Sequence, residues 1–125
     1  MSEPLALAPI FHERSRLSMM TVLAANPHGV AFTELRDLCK LTDGNLSRHL
    51  HKLAEAGLII MEKKFVNGTP NTTIRVTAEG IEQFSRYLEE LEQIVAEANR
   101  AMSSRRSNQR PGRTTSEEPV RELRG

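Results

Sequence analysis

The apolar positions of this chain change period several times, and each change marks an element. Leu17, Met20 and Leu23 or Ala24 recur at helical spacing and Asn26-Pro27-His28-Gly29 supplies a stop, which predicts a first helix over residues 13–26. Its second half, residues 19–25, is apolar nearly all round, as a central buried helix requires. Val30-Ala31-Phe32 reads as a short extended piece. Thr33 is placed to N-cap a second helix from Glu34 to about Lys40, because a threonine hydroxyl accepts one of the amide protons that a helix start leaves unpaired. Leu35 and Leu38 are expected to face inward from it. Leu41 gives a turn, Thr42 N-caps a third helix running to Ala56, and Gly57 ends that helix.

Beyond Gly57 the period shortens to that of strands. Residues 58–65 are rich in β-formers, and residues 72–76 make a second such run. Between them Asn67-Gly68 favours a turn with positive φ, and Pro70 limits edge pairing, so the two runs form a hairpin around residues 67–71. Thr77 caps a last long helix over residues 78–102. The order helix, strand, helix, helix, strand, strand, helix is mainly α with a small β-hairpin. It describes a winged helix-turn-helix with an added C-terminal helix.

The third helix separates into two faces at 100° per residue. Leu46, Leu50, Leu53 and Ala54 share one, and Arg48, His51, Lys52 and Glu55 the other, with Asn45 near its edge. In a helix-turn-helix such a helix enters the major groove and its N-terminal half reaches base edges. Arg48 is suited to guanine, whose N7 and O6 accept both ends of a guanidinium, and Asn45 to adenine. Ser47 and Thr42 suit phosphate oxygens or a single base acceptor. Lys63, Lys64 and Arg75 flank the hairpin tip and can neutralise phosphates beside the groove, with Asn67 and Thr69 at the tip itself. From Arg36 to Arg75 seven Lys or Arg stand against four acids, a net of about +3, whereas from Thr77 to Met102 two Arg stand against six Glu, about −4. The formal net charge of +1 hides this polarity.

In the last helix Ile81, Phe84, Leu88, Leu91, Val95, Ala98 and Met102 are spaced alternately by three and four, an a/d seam sustained over three heptads. About 25 residues of helix, roughly 37 Å, exceed what a small core can cover, so residues 78–102 are expected to pair two copies. A two-fold homodimer would set its third helices in major grooves about 34 Å apart and prefer an inverted-repeat operator.

Composition mainly removes possibilities. The 125 residues with 38% hydrophobic content support one core, folded over residues 9–77 with the helix 78–102 attached. Residues 103–125 carry six Arg against three Glu and almost no apolar side chains, the composition of a disordered basic tail. No apolar run approaches the ~20 residues of a membrane span, and residues 1–10 lack the basic start of a secretory signal, so a cytoplasmic protein without membrane association is expected. The single cysteine, Cys39, reads as a small core residue or as a redox sensor. His49 and His51 are two apart and point in different directions, which is not helical metal-ligand spacing, and neither a nucleophile–base arrangement nor a phosphate-binding glycine loop occurs. No cofactor, metal or enzymatic activity is therefore expected. Met, Phe and Leu side chains lining a dimer cleft could hold a small effector, but core packing explains them equally.

Three stretches carry a family resemblance: Phe11-His12-Glu13-Arg14-Ser15-Arg16-Leu17; residues 41–50, Leu41-Thr42-Asp43-Gly44-Asn45-Leu46-Ser47-Arg48-His49-Leu50, with Leu53, Glu55, Ala56, Gly57 and Leu58; and Arg75-Val76-Thr77-Ala78-Glu79-Gly80. Together they make the chain similar to short MarR-like winged-helix regulators of bacteria and archaea, with kinship to ArsR-type repressors. The resemblance implies a homodimeric DNA-binding regulator of transcription whose recognition helix contains Asn45, Ser47 and Arg48. Such proteins often carry an arginine at the wing tip, where this chain has Gly68-Thr69-Pro70-Asn71. The clustered ligands of a metal-sensing repressor are not found either. The alternative reading is a winged helix used for protein–protein interaction without specific DNA binding. That use leaves the third helix free to expose an apolar or acidic face, whereas this one is polar and basic.

Overall fold

A computed structural model describes residues 7–109. Its elements are α1 (Arg14–Ala25), β1 (Val30–Ala31), α2 (Phe32–Cys39), α3 (Asp43–Glu55), β2 (Ile59–Val66), β3 (Thr69–Val76) and α4 (Ala78–Gln109). The expected order holds, with one addition. β1 pairs antiparallel with β3 through Val30↔Ile74 and Ala31↔Thr73, so the hairpin becomes a three-stranded sheet of order β1-β3-β2. The chain divides into two compact units, one ending at Glu90 and one beginning at Leu91.

The core of the first unit is built from Met19, Met20 and Leu23 of α1, Leu35 of α2, Leu46, Leu50 and Leu53 of α3, Ile59 and Ile74 of the sheet, and Phe84 and Tyr87 of α4. Phe11, ahead of α1, is fully buried against both aromatic rings of α4, edge-on to Phe84 at 5.3 Å and tilted to Tyr87 at 5.6 Å. Aromatic pairs favour such non-sandwich geometries. The buried Met19, Met20, Phe11 and Phe84 are thus packing residues.

Several local expectations shift. α1 begins one residue later than its pattern suggests because Glu13 is the cap, its carboxylate accepting from the Arg16 amide at 2.9 Å. α2 begins at Phe32, capped by Ala31 without any side-chain bond, so Thr33 is an ordinary first-turn residue. Here the β1–β3 pairing fixes the chain immediately before the helix and replaces the hydroxyl cap. Leu38 is exposed at 57%. Phe32, Leu35 and Cys39 fall within about 60° of one another at 100° per residue, and Leu38 lies outside that arc. The turn after α2 is set by Lys40, at φ 58°, rather than by Leu41, with the Leu41 amide bonding to the Arg36 carbonyl at 3.0 Å.

Thr42 caps α3 as expected, its hydroxyl accepting from the Asn45 amide at 3.2 Å. The wing turn is tighter than the five residues expected. Val66 pairs with Thr69, leaving only Asn67 (φ 53°) and Gly68 (φ 77°) between the strands. Two successive positive φ values make the type of turn whose twist matches that of the flanking strands, and Asn-Gly adopts it at low cost. Thr77 joins three elements. Its hydroxyl donates to the Gly57 carbonyl at 2.8 Å and accepts from the Gly80 amide at 2.9 Å, while its own amide bonds to the Leu58 carbonyl at 3.0 Å.

α4 continues through Gln109, seven residues past its expected end at Met102, so residues 103–109 are helical rather than the start of a tail. The remainder of that expected tail lies outside the described residues. The seam also changes. Phe84 is 4% exposed and serves its own core, so it is not available to a second copy, and Tyr87, absent from the expected seam, is buried beside it. The exposed large apolar residues of α4 are Ile81, Leu88, Val95 and Met102, each seven from the next. Leu91 is half-buried and Ala98 exposed. No helix among the described residues is long and apolar enough to cross a membrane.

Candidate nucleic-acid interface

α3 sorts its side chains as its sequence demands. Leu46, His49, Leu50 and Leu53 are buried, and Asn45, Ser47, Arg48, His51, Lys52 and Glu55 are exposed. The helix start is held by its neighbour. Arg36 of α2 donates to Asp43 in the first turn of α3 at 2.9 Å and to Asp37 at 3.0 Å, an exposed ion pair that links α2 to α3. Arg75 is likewise occupied, 3.3 Å from Glu62 on the neighbouring strand, which weakens its candidacy as a phosphate contact. Arg48, Lys52, Lys63 and Lys64 have no ion-pair partner among the described residues.

Strand register separates the two wing lysines. Lys63 pairs with Thr72 and Lys64 with Asn71, and alternate residues of a strand point to opposite faces. Lys63 and Thr72 line a cleft with Ser47 and His51 of α3, which Phe32, Leu50 and Met61 also line. Lys64 lies on the opposite face, with Thr69 and Asn71. Thr42 and Asn67 are exposed at the start of α3 and in the wing turn. Ser47 and His51 of α3 therefore share one surface with Lys63 and Thr72 of the wing, and α3 exposes Asn45, Arg48 and Lys52 beside it. An α-helix beside a β-ribbon, both presenting hydrogen-bonding and cationic groups, matches what a major groove and its flanking phosphates accept.

A family model described as a winged helix DNA-binding domain matches residues 15–95, which takes in α3, the wing and much of α4. The chain belongs to the winged helix DNA-binding domain family. An uncharacterized protein of Methanocaldococcus jannaschii is 33% identical over 88 residues, which is 68% of this chain and 91% of that protein. Among solved structures, a transcriptional regulator homologue from Pyrococcus horikoshii OT3 is 26% identical with a TM-score of 0.68, covering 73% of this chain and 89% of its own. MarR is 20% identical with a TM-score of 0.61, covering 82% of this chain and 81% of its own. A MarR family transcriptional regulator from Silicibacter pomeroyi is 18% identical with a TM-score of 0.54, covering 66% of this chain and 53% of its own. The winged helix has the MarR-like fold that its motifs imply, that of DNA-binding regulators of transcription.

This winged helix also contains a support that pattern reading missed. His49 projects from the buried side of α3, and its Nδ1 lies 3.1 Å from Nη1 of Arg16 and 3.9 Å from the Glu13 carboxylate. A guanidinium only donates, so Nδ1 accepts and the neutral ring carries its proton on Nε2. Arg16 is itself fixed by Nε donating to the Ile10 carbonyl at 2.7 Å. The available signal was the position of His49, three after Leu46 and four before Leu53 on the apolar side of the helix. Its partners, more than thirty residues away, leave no periodic trace.

Burial pushes the His49 pKa below the usual imidazole value of 6.5; Glu13 opposes the shift, and Arg16, Arg48 and Lys52 reinforce it. A histidine with a depressed folded pKa contributes stability that is complete above its unfolded pKa and is lost as pH falls below it, because the unfolded chain then binds the proton more readily. Urea midpoints should therefore fall between pH 7.5 and pH values below about 6.5, the unperturbed imidazole range. The fall should be smaller in His49→Gln, whose amide oxygen can still accept from Arg16. Equal pH slopes in the two proteins would contradict this role.

Cys39 is half-buried, and burial pushes its thiol pKa up, which disfavours the thiolate that a redox sensor needs. Among the described residues no three His, Cys, Asp or Glu cluster as metal ligands.

Proposed function

We propose that this winged helix is a sequence-specific transcriptional regulator that binds an inverted-repeat operator as a homodimer. α3 lies in the major groove with Asn45, Ser47 and Arg48 toward the bases, and Lys52, Lys63 and the Thr42 end of α3 contact phosphates. The observation that carries this reading is the continuous surface shared by α3 and the inner wing face, where polar and cationic side chains are exposed and unpaired. His51 sits at the junction of the two. Lys64, Asn67 and Thr69 belong to the outer face and tip, where they meet DNA only if the wing follows the backbone past the cleft. The interaction-module alternative lacks a comparable apolar or acidic face on α3.

Pairing of two copies is supported by the stripe Ile81, Leu88, Val95 and Met102. A repeat of seven is the period at which paired helices keep meeting.

Gel-shift titration against random duplex at rising salt tests the DNA reading. Each phosphate-neutralising cation adds about −0.9 to the log–log salt slope, so two copies each using two or three lysines, Lys52 and Lys63 with or without Lys64, should give a slope of about −4 to −5. A flat response would remove the DNA assignment. Light scattering on the same sample should give twice the monomer mass, and a monomeric mass would remove the seam.

A further inference from the structure

Phe65 is the most exposed large apolar side chain among the described residues, at 76%, although the chain has only four Phe and one Tyr. Three of those five rings, Phe11, Phe84 and Tyr87, make the aromatic core cluster. Phe65 does nothing comparable for the fold. It stands one residue before the last ladder pair of β2, opposite Pro70, which is also exposed.

Its place in the register gives it a use. Lys63, Phe65, Pro70 and Thr72 share one face of the hairpin, because Lys63 pairs with Thr72 and Phe65 with Pro70. Lys63 and Thr72 line the cleft with Ser47 and His51 of α3. Phe65 and Pro70 are the next step along that face toward the tip, about 7 Å further on. From the major-groove edge, a step of that size crosses the phosphates and reaches the sugars that wall the minor groove. Lys63, on the same face as Phe65, suits this part of the wing to a polyanion, and the apolar surface such a partner offers there is deoxyribose and the edges of stacked bases.

We propose that Phe65, backed by Pro70, is an apolar DNA contact that packs against the deoxyribose wall of the minor groove while Lys63 takes the adjacent phosphate. The inference rests on the reading that α3 occupies the neighbouring major groove. It assigns to an aromatic ring the wing-tip position where an arginine is absent. Such a contact reads groove shape rather than base identity, and it displaces no counterion.

The test compares wild type with Phe65→Ala, Phe65→Leu and Lys63→Ala on a random-sequence duplex across a salt series, with melting temperatures confirming that each is folded. Phe65→Ala should weaken binding about tenfold per engaged wing at every salt concentration, since one buried aromatic side chain is removed. Its log–log salt slope should equal that of wild type. Phe65→Leu should recover most of the loss, and Lys63→Ala should flatten the slope by about 0.9 for each engaged wing. Wild-type affinity for Phe65→Ala at all salts overturns the proposal, as does a loss confined to a changed slope. A lower molar mass for Phe65→Ala without DNA assigns the ring to a contact between copies and also overturns it. Wild type that binds no duplex brings down the underlying DNA reading and this contact with it, an outcome distinct from normal wild-type binding that Phe65→Ala leaves unchanged.

Discussion

Replacing Arg48 by alanine should remove most of the preference of this winged helix for its selected sequence while leaving its grip on random duplex nearly intact. Arg48 is exposed at the middle of the free face of α3 and has no ion-pair partner among the described residues. A bidentate arginine–guanine pair discriminates against the wrong base by about 1–3 kcal/mol, and a two-fold dimer makes it twice. The selected-to-random affinity ratio should thus shrink by roughly 2–6 kcal/mol, read from duplexes recovered from a random pool. Lysine at the same position should not restore the ratio fully, because an ammonium cannot span N7 and O6 in the same planar fork. An equal loss on selected and random DNA would place Arg48 on phosphate instead.

The largest effect on stability should come from Gly80→Ala. A Cβ there would overlap the Leu58 carbonyl oxygen and lie 2.8 Å from Cγ2 of Val76. The valine methyl can turn aside, but the carbonyl cannot, because it accepts the Thr77 amide at 3.0 Å and so holds the junction of β3 with α4. Either the first turn of α4 moves away from Leu58 or that hydrogen bond is lost. Overpacking of this kind costs about 3 kcal/mol. For a domain of this size that corresponds to roughly 12–24 °C in melting temperature. Gly44→Ala is the matched control, since nothing lies within 4 Å of a Cβ at that position. A melting temperature for Gly80→Ala within a few degrees of the control would show that the junction yields.

What could be read from the chain alone follows from how local each cause is. The cap of α3 by Thr42, the division of its faces and the Asn67-Gly68 turn depend on residues within a few positions of one another, and these features stand where the pattern puts them. Thr33 failed as a cap because the preceding strand is fixed by pairing with Ile74 and Thr73, more than forty residues later. The heptad pattern of α4 does not set Phe84 apart for a similar reason. A heptad records that a residue is apolar and not which surface covers it, and the cover for Phe84 is Phe11, at the other end of the domain. The net charge of the segment does not show that Arg36 and Arg75 are paired with Asp37, Asp43 and Glu62. Adding charges gives a field without saying which of them are already spoken for. Within the interface, the residue types of α3 were legible, and the assignment of Lys63 and Lys64 to opposite wing faces required the register.

The stretch from His12 into the first turn of α1 is bonded at both ends. His12 Nδ1 lies 2.9 Å from the Tyr87 hydroxyl on α4, and four residues later Arg16 meets His49 on the underside of α3. The four peptide units from His12 to Arg16, with the Phe11 ring buried just before them and the Glu13 helix cap within them, therefore tie α4 to α3. A tilt imposed at Tyr87 has no loop in which to dissipate. Neither α3 nor the Tyr87 turn of α4 can shift against the other without breaking one of these two contacts.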